Sequence, residues 1–319
     1  MSWAIISHDR LQDNFDCTHS IRGRTVYIEV FGDTCHDHFC EIRYAIINIT
    51  NCHRQERAMG HWRGKARLLH VRHTGEWIYG MNPVIEALRA RRKIMRICVS
   101  SEMRGRADHL RREAEKRSIP IDTLAPSFFD SCFPKGHQGV AAEVSPKRYM
   151  PMVELLDIPA VAGDPPLFLV LDCLEDPRNF GAILRTADAA GVHGVVIQAY
   201  RSVGILPETS KSSAGAVEYV PITLIPNIKH AINKMREVGI RVIGAEAGNH
   251  AMLWDIDLTV PICLVIGSEG RGIRKTVMGQ CDVIAGIPMR GRIGSLNVSV
   301  AAGILLFEVV RQRLEKARH

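Results

Sequence analysis

The fold is decided by residues 167–198, LFLVLDCLEDPRNFGAILRTADAAGVHGVVIQ. Two apolar runs, at 167–172 and 194–198, flank a segment with helical periodicity. The alternation continues towards the C-terminus, with a helical pattern at 228–238, apolar runs at 240–245, 262–267 and 283–288, and a long helix from about Ser295. Apolar strands separated by helices predict an α/β domain with a parallel sheet covered on both faces. We therefore expect ligands at the carboxyl ends of the strands.

The chain upstream of this domain divides into three parts. Residues 74–148 alternate helical and strand patterns and predict a small α/β domain. Residues 149–166 are rich in proline and polar residues and predict a linker to the domain at 167–319. Residues 1–73 hold eight of the fourteen histidines and little periodicity beyond the strand-like TVYIEVF at 25–31. We interpret them as an unassigned N-terminal extension or the result of a misassigned start, either disordered or loosely folded.

Length and composition are those of an ordinary globular protein. The 319 residues are 46% hydrophobic and 24% charged, and length alone favours two domains. No window approaches the roughly 18 apolar residues of a membrane span, and residues 1–20 show no signal-peptide pattern. Nine cysteines, an odd number with irregular spacing, favour reduced thiols. The sequence therefore predicts a cytoplasmic protein without a membrane partner.

Positive charge is concentrated in the predicted small domain. The excess of Lys and Arg over Asp and Glu is +5 in residues 74–150, against +2 before them and 0 after them. The density between Arg89 and Arg117 suits a polyanion such as a phosphate backbone. The alternative is a solvated helix face, because Glu113 and Glu115 dilute the run.

Two loops after predicted strands carry candidate functional residues. In DPRNFGAILRTADAAG, Asn179 stands near a helix start and Arg185 follows within about two turns, so both could address one pocket. The alternative is an asparagine at a helix N-terminus and a solvated arginine. In GSEGRGI, at 267–273, the glycines permit tight turns and close approach of a ligand to the backbone. This loop lacks the GxGxxG and GK[ST] patterns, which argues against a dinucleotide site and a phosphate loop.

The third loop, IPMRGRIGSLNVSVAAGILLFE at 287–308, places Ser295, Asn297 and Ser299 at the mouth of an apolar helix. Helix capping explains one of the three polar residues. In this order, DPRNFGAILRTADAAG, LVIGSEGRGI and IPMRGRIGSLNVSVAAG resemble the three motifs of the SpoU (TrmH-type) branch of the SPOUT RNA methyltransferases. YGMNPVIEALRA (79–90) and KGHQGVAAEV (135–144) resemble the small substrate-binding domain of the bacterial 23S rRNA guanosine 2′-O-methyltransferases.

This resemblance implies a fold, a cofactor and an assembly. The C-terminal segment would be threaded as a trefoil knot, an exception to the rule that chains do not thread. S-adenosylmethionine would bind in the knot, with its adenine near Gly267, Ile287 and Leu296. A homodimer is implied as well, in which the two knots pack together and complete each site.

The implied reaction is transfer of a methyl group to a ribose 2′-hydroxyl of RNA, most closely a guanosine of 23S rRNA. By motif position, the catalytic set is Asn179, Arg185, Glu269, Ser295 and Asn297. Arg185 would meet the 2′-hydroxyl and the adjacent phosphate, either as an unusual base or as a clamp that orients both. Glu269 has a second interpretation, as a structural acceptor for loop amides.

The small domain would bind the RNA substrate. The candidate RNA contacts are four arginines of its basic run and two residues of the FPKGHQG loop. They are Arg91, Arg92, Arg111 and Arg112 in the run, and Lys135 and His137 in the loop. For the loop, a simple turn between strands is the alternative.

Two further hypotheses concern function and metal binding. Methylation of tRNA, or a non-catalytic RNA-binding assembly role, would use the same fold. In the N-terminal extension, a metal site could be built from Cys35, His36, His38, Cys40, Cys52 and His53. The spacer within CHDHFC is too short for a known zinc pattern, and we predict no metal.

Overall fold

The computed structural model describes residues 15–21, 24–30, 76–103, 105–248 and 251–318. In the N-terminal extension, strands β1 (Phe15–Ile21) and β2 (Arg24–Val30) pair antiparallel. The strand predicted from TVYIEVF is confirmed by β2. The candidate metal ligands between Cys35 and His53 lie outside the described residues.

The small α/β domain contains four strands and three helices. In chain order they are β3 (Glu76–Tyr79), α1 (Met81–Arg89), β4 (Ile94–Ser100), α2 (Asp108–Lys116), β5 (Ile121–Leu124), α3 (Pro126–Cys132) and β6 (Val140–Val144). The strand order is β3-β6-β4-β5, with β4 and β5 parallel and the other pairs antiparallel. One face of this sheet packs on α1 and α2 through Ile97, Val84 and Leu110, which are all buried.

The predicted linker at 149–166 contains a helix that packs on the C-terminal domain. This helix is α4 (Met152–Ala162), with Pro151 at its start and Gly163 in the left-handed conformation at its end. Leu155 is fully buried against the sheet of the C-terminal domain, and Gly194 leaves the space that its side chain fills. Pro151 therefore precedes a packed helix, and Pro159 lies buried within it.

The C-terminal domain is built around a seven-stranded parallel sheet. Its elements are β7 (Leu167–Leu171), α5 (Pro177–Ala189), β8 (Gly194–Gln198), α6 (Pro207–Ser212), β9 (Ile222–Ile225), α7 (Ile228–Glu237), β10 (Arg241–Ala245), β11 (Ala251–Met252), β12 (Ile262–Ile266), α8 (Lys275–Met278), β13 (Val283–Gly286) and α9 (Val298–Lys316). The strand order is β11-β13-β10-β12-β7-β8-β9. This confirms the predicted parallel sheet, while the trefoil knot stays a prediction.

Both faces of the sheet are buried, as the apolar strands predict. On β7, Leu169 and Leu171 join the core beneath α5 and α9, whereas Phe168 and Val170 join the core beneath α4 and α7. The alternation follows from the two-residue period of a strand. Because Leu171, Ile266 and Ala245 are register partners across β7, β12 and β10, these strands end at one edge of the sheet.

Candidate active site

The loops that carry the sequence motifs meet at the carboxyl edge of the sheet. Asp172 directly follows β7, Gly267 directly follows β12, and Ile287 directly follows β13. Parallel register brings these strand ends to the same edge. The edge is therefore the place where residues distant in the chain can act on one ligand.

Three polar side chains from the three motifs form a hydrogen-bonded cluster there. Asn179 donates through Nδ2 to Glu269 Oε1 at 2.8 Å, and Asn297 donates through Nδ2 to the same oxygen at 2.7 Å. Asn297 Nδ2 also lies 3.2 Å from Asn179 Oδ1, across 118 positions of sequence. One carboxylate oxygen thus collects two side-chain amides, and we call these residues the Asn-Glu-Asn cluster.

Local helix chemistry fixes each amide of the cluster. Helix α5 begins after Asp176, whose side chain accepts the amide of Arg178 at 2.8 Å, so Asn179 lies in the first turn and is buried. Asn297 caps α9, because its Oδ1 accepts from Ser299 N at 2.9 Å and from Ser299 Oγ at 2.6 Å. With Oδ1 held by the helix, Nδ2 of Asn297 is left to face Glu269. Asn297 is thus the polar residue that caps the helix, and its amide also joins the cluster, while its catalytic role stays a prediction.

Two predicted catalytic residues are not part of this cluster. Arg185 is exposed on α5, and Ser295 is exposed in the loop before α9. In residues 76–103, 105–248 and 251–318, no hydrogen bond or ion pair joins either residue to the cluster. Six helical residues turn through about 600°, which leaves Arg185 roughly 120° around α5 from Asn179. The structure therefore does not bring Arg185 or Ser295 into the cluster, and their catalytic roles stay predictions.

The predicted cofactor residues line the same edge. Gly267 is buried, and a Cβ there would lie 2.0 Å from the carbonyl carbon of Gly272, so the loop closes backbone against backbone. Ile287 is half-buried against the core, and Leu296 is partly exposed. The structure places these residues on loops of one edge without testing their roles.

One predicted RNA contact is corrected by the structure. The Arg92 side chain is 6% exposed and pairs with Glu218, itself 2% exposed, at 2.7 Å. Arg92 also pairs with Glu76 at 2.9 Å and donates to the Ser145 carbonyl at 2.8 Å. A phosphate cannot reach a guanidinium that is buried and already bound to two carboxylates and a carbonyl. Arg92 instead joins the small domain to the C-terminal domain.

The other basic candidates differ in their availability. Arg91, Arg112 and Lys135 are exposed, and Arg111 is partly exposed. His137 is held on both sides, because its Nδ1 accepts from Gly139 N at 3.0 Å and its Nε2 lies 3.2 Å from Asp130. Its ring stacks on Phe129. His137 thus stabilises the turn, while the exposed cations remain predicted RNA contacts.

Sequence reasoning missed the contacts that hold the 267–274 loop. Asp172 is fully buried and binds Arg274, and Glu246 accepts the amide of Ile273. The signal was present, because an acidic residue directly after an apolar strand needs a partner at the strand end.

Within the described residues, no group of three His, Cys, Asp or Glu side chains could hold a metal ion. No helix among them has the length and hydropathy of a membrane span.

Two family models and several curated proteins match this chain in sequence. The SpoU rRNA methylase family matches residues 166–307, and the domain described as RNA 2′-O ribose methyltransferase substrate binding matches residues 77–150. A Bacillus subtilis (strain 168) protein, YacO, assigned to the TrmH family of tRNA/rRNA methyltransferases, is 38% identical over 75% of this chain and 96% of its own length. The 23S rRNA (guanosine-2′-O-)-methyltransferase RlmB of Pseudomonas putida is 36% identical over 76% of this chain and 98% of its own.

Solved structures show the same fold. The SpoU methyltransferase AviRb from Streptomyces viridochromogenes, in complex with the cofactor AdoMet, superposes with a TM-score of 0.64 at 27% identity, over 79% of this chain and 95% of its own. An AdoMet-bound rRNA methyltransferase from Sinorhizobium meliloti gives a TM-score of 0.62 at 25% identity, over 75% and 87%. The chain belongs to the SpoU family of RNA methyltransferases. It is accordingly an RNA 2′-O-methyltransferase whose methyl donor is S-adenosylmethionine.

Proposed function

We propose that this protein methylates the ribose of a guanosine in 23S rRNA. The observation that carries the catalytic part of the proposal is the Asn-Glu-Asn cluster, which joins one residue from each of three motif loops at the carboxyl edge of the sheet. The substrate-binding domain at 77–150 and the 23S rRNA specificity of the Pseudomonas putida relative support the choice of RNA.

The chemistry of this edge fits the methyl donor. A neutral adenine needs an apolar slot with a few backbone groups, and Met289 and Leu296 are partly exposed apolar side chains on the loop between β13 and α9. Gly291 and Gly294 face open space, since a Cβ on either would meet nothing within 4 Å. When bound, S-adenosylmethionine supplies an electrophilic methyl carbon on a sulfonium. Gly267, Ile287 and Leu296 are the residues that we assign to its adenine.

The chain's own residues must orient the nucleophile and manage its proton. A 2′-hydroxyl is a poor nucleophile at neutral pH, so transfer depends on alignment and on removal of the hydroxyl proton. The Asn-Glu-Asn cluster, together with Ser295 two residues before Asn297, would fix the ribose. Arg185 would bind the adjacent phosphate through its planar fork and hold the hydroxyl in line. A guanidinium stays protonated in proteins, which favours this clamping role over that of a base.

A homodimer is part of the proposal, because one face of α9 is apolar and exposed. Val300, Phe307 and Leu314 are spaced by seven residues and are 51%, 49% and 56% exposed. Residues at this spacing share a helix face. A second copy of the chain would cover this stripe. Helix α5, which carries Arg185, packs beside α9, and in the proposed dimer Arg185 would act at the partner's cluster.

The substrate class is tested by incubating the protein and methyl-labelled S-adenosylmethionine with protein-free large-subunit rRNA and, separately, with bulk tRNA. The proposal expects label in rRNA and in the ribose of a guanosine. Label in tRNA alone would show that tRNA, and not rRNA, is the substrate. A protein that binds S-adenosylmethionine and RNA but transfers nothing to either would instead support the assembly role.

A further inference from the structure

Two carboxylates accept hydrogen bonds from the C-terminal end of the 267–274 loop, one from each side. Strand β12, which leads into the loop, lies between β7 and β10 in the sheet. Asp172 directly follows β7, and Glu246 directly follows β10. Consecutive amides of the loop donate to them, with Ile273 N 2.8 Å from Glu246 Oε2 and Arg274 N 2.9 Å from Asp172 Oδ2.

Burial makes the Asp172 contact difficult to break. The Asp172 carboxylate is 0% exposed, and Arg274 Nε donates to its Oδ1 at 2.8 Å. The outer nitrogen of Arg274 also donates to Gln198 Oε1, at 2.7 Å, from the end of β8. If the loop opened, Asp172 would be left as a buried charge without its cation, which is strongly unfavourable.

The Glu246 contact depends on a glycine. Gly272 has φ of +63°, and a Cβ there would lie 2.3 Å from Glu246 Oε1. The missing side chain therefore leaves the space that the carboxylate occupies. At the other end of the loop, Gly267 packs against the backbone of Gly272. The hydrogen bonds that hold residues 273 and 274 therefore also hold Gly267 in place.

We propose that Asp172 and Glu246 are positioning residues for cofactor binding, holding the 267–274 loop in its binding conformation before the ligand arrives. The inference rests on the proposed place of the adenine at Gly267. A loop that is already ordered loses less conformational entropy on binding, and so binds more tightly. The carboxylates themselves need not touch the cofactor.

The test compares Asp172→Asn with a matched control, Asp282→Asn. Asp282 accepts a backbone amide, that of Val242, at 2.8 Å and pairs with Arg236 at 3.0 Å, but it precedes β13 and so lies at the opposite edge. Both substitutions should lower the melting temperature. Only Asp172→Asn should weaken S-adenosylmethionine binding in calorimetry, by about tenfold or more, with kcat at saturating cofactor and RNA within about threefold of the wild type.

The outcomes separate this inference from the proposed function. Equal cofactor affinity in the wild type, Asp172→Asn and Asp282→Asn would overturn the positioning role. A wild type that does not bind S-adenosylmethionine would overturn the proposed site itself. If Asp172→Asn does not fold, Glu246→Gln decides, because Glu246 is only half-buried. A severalfold weaker affinity in that variant supports the inference, and unchanged affinity refutes it.

Discussion

Replacing Arg92 by alanine should destabilise the protein without removing an RNA contact. The Arg92 guanidinium meets Glu218 at 2.7 Å and Glu76 at 2.9 Å, and both Arg92 and Glu218 are almost fully buried. Arg92 leads into β4 of the small domain, whereas Glu218 lies in a turn before β9 of the C-terminal domain. The pair therefore fixes the two domains against each other.

The size of the effect follows from the burial of Glu218. Removing one partner of a buried ion pair typically costs about 3–5 kcal/mol, because the other charge is left uncompensated. The double variant Arg92→Met with Glu218→Gln should recover most of this loss, because neither charge then stays buried alone. Arg91→Ala is the matched control, since Arg91 is exposed and surface substitutions usually change stability by less than about 0.5 kcal/mol.

The loss should also depend on pH. Burial raises the pKa of Glu76, and Arg92 opposes that rise. Without Arg92 the pKa of Glu76 rises further, so the folded variant binds protons that the unfolded chain has released. Its free energy of unfolding then falls as pH increases through the folded pKa, and the deficit relative to wild type shrinks in acid.

Urea unfolding at several pH values, together with RNA binding, measures these effects. A loss under about 1 kcal/mol for Arg92→Ala would refute the account of the buried pair. Weakened RNA binding with unchanged stability would restore Arg92 as an RNA contact.

The remaining predictions concern a buried histidine and the subunit contact. Burial lowers the pKa of His193 below its ordinary value of 6.5, and its Nδ1 accepts the amide of Leu167 at 3.1 Å. As pH falls below 6.5, the unfolded chain binds a proton before the folded chain does, so the contribution of His193 to the free energy of unfolding should fall below pH 6.5 and be constant above it. His193→Asn should remove this component of the pH dependence. An unchanged pH profile of unfolding in that variant would contradict the role given to His193. Phe307→Glu places a charge in the exposed stripe of α9, and light scattering should show a dimer for the wild type and a monomer for this variant. A variant that stays dimeric would place the interface elsewhere.

The parallel sheet was predictable because its signal is local. The central strands β7 and β12 are continuous apolar runs, so burial on both faces can be read from the sequence at 167–171 and 262–266. Asn297 was predictable as well, because a helix that begins after polar residues needs a cap.

The contacts that depend on distant partners could not be read from the sequence. The basic run suggested that Arg92 faces solvent, but Glu218, 126 positions later, takes its charge. Residues 149–166 looked like a linker, because nothing in their composition shows that Leu155 meets the sheet. Asp172 and Glu246 could be identified as acidic residues at strand ends. Their hydrogen bonds to Arg274 and Ile273, respectively, depend on the strand order.

The role of Arg185 in ribose methylation tests the account most directly. The measurement is single-turnover transfer from S-adenosylmethionine to large-subunit rRNA by wild type, Arg185→Ala and Arg185→Lys, with nucleoside analysis of the product and calorimetry of cofactor binding. The account predicts 2′-O-methylguanosine from the wild type and a loss of at least about a hundredfold in Arg185→Ala at nearly unchanged cofactor affinity, because Arg185 acts on the RNA. Arg185→Lys should restore little, since an ammonium cannot reproduce the planar fork. Full activity of Arg185→Ala, or a methyl group on a base, would contradict it.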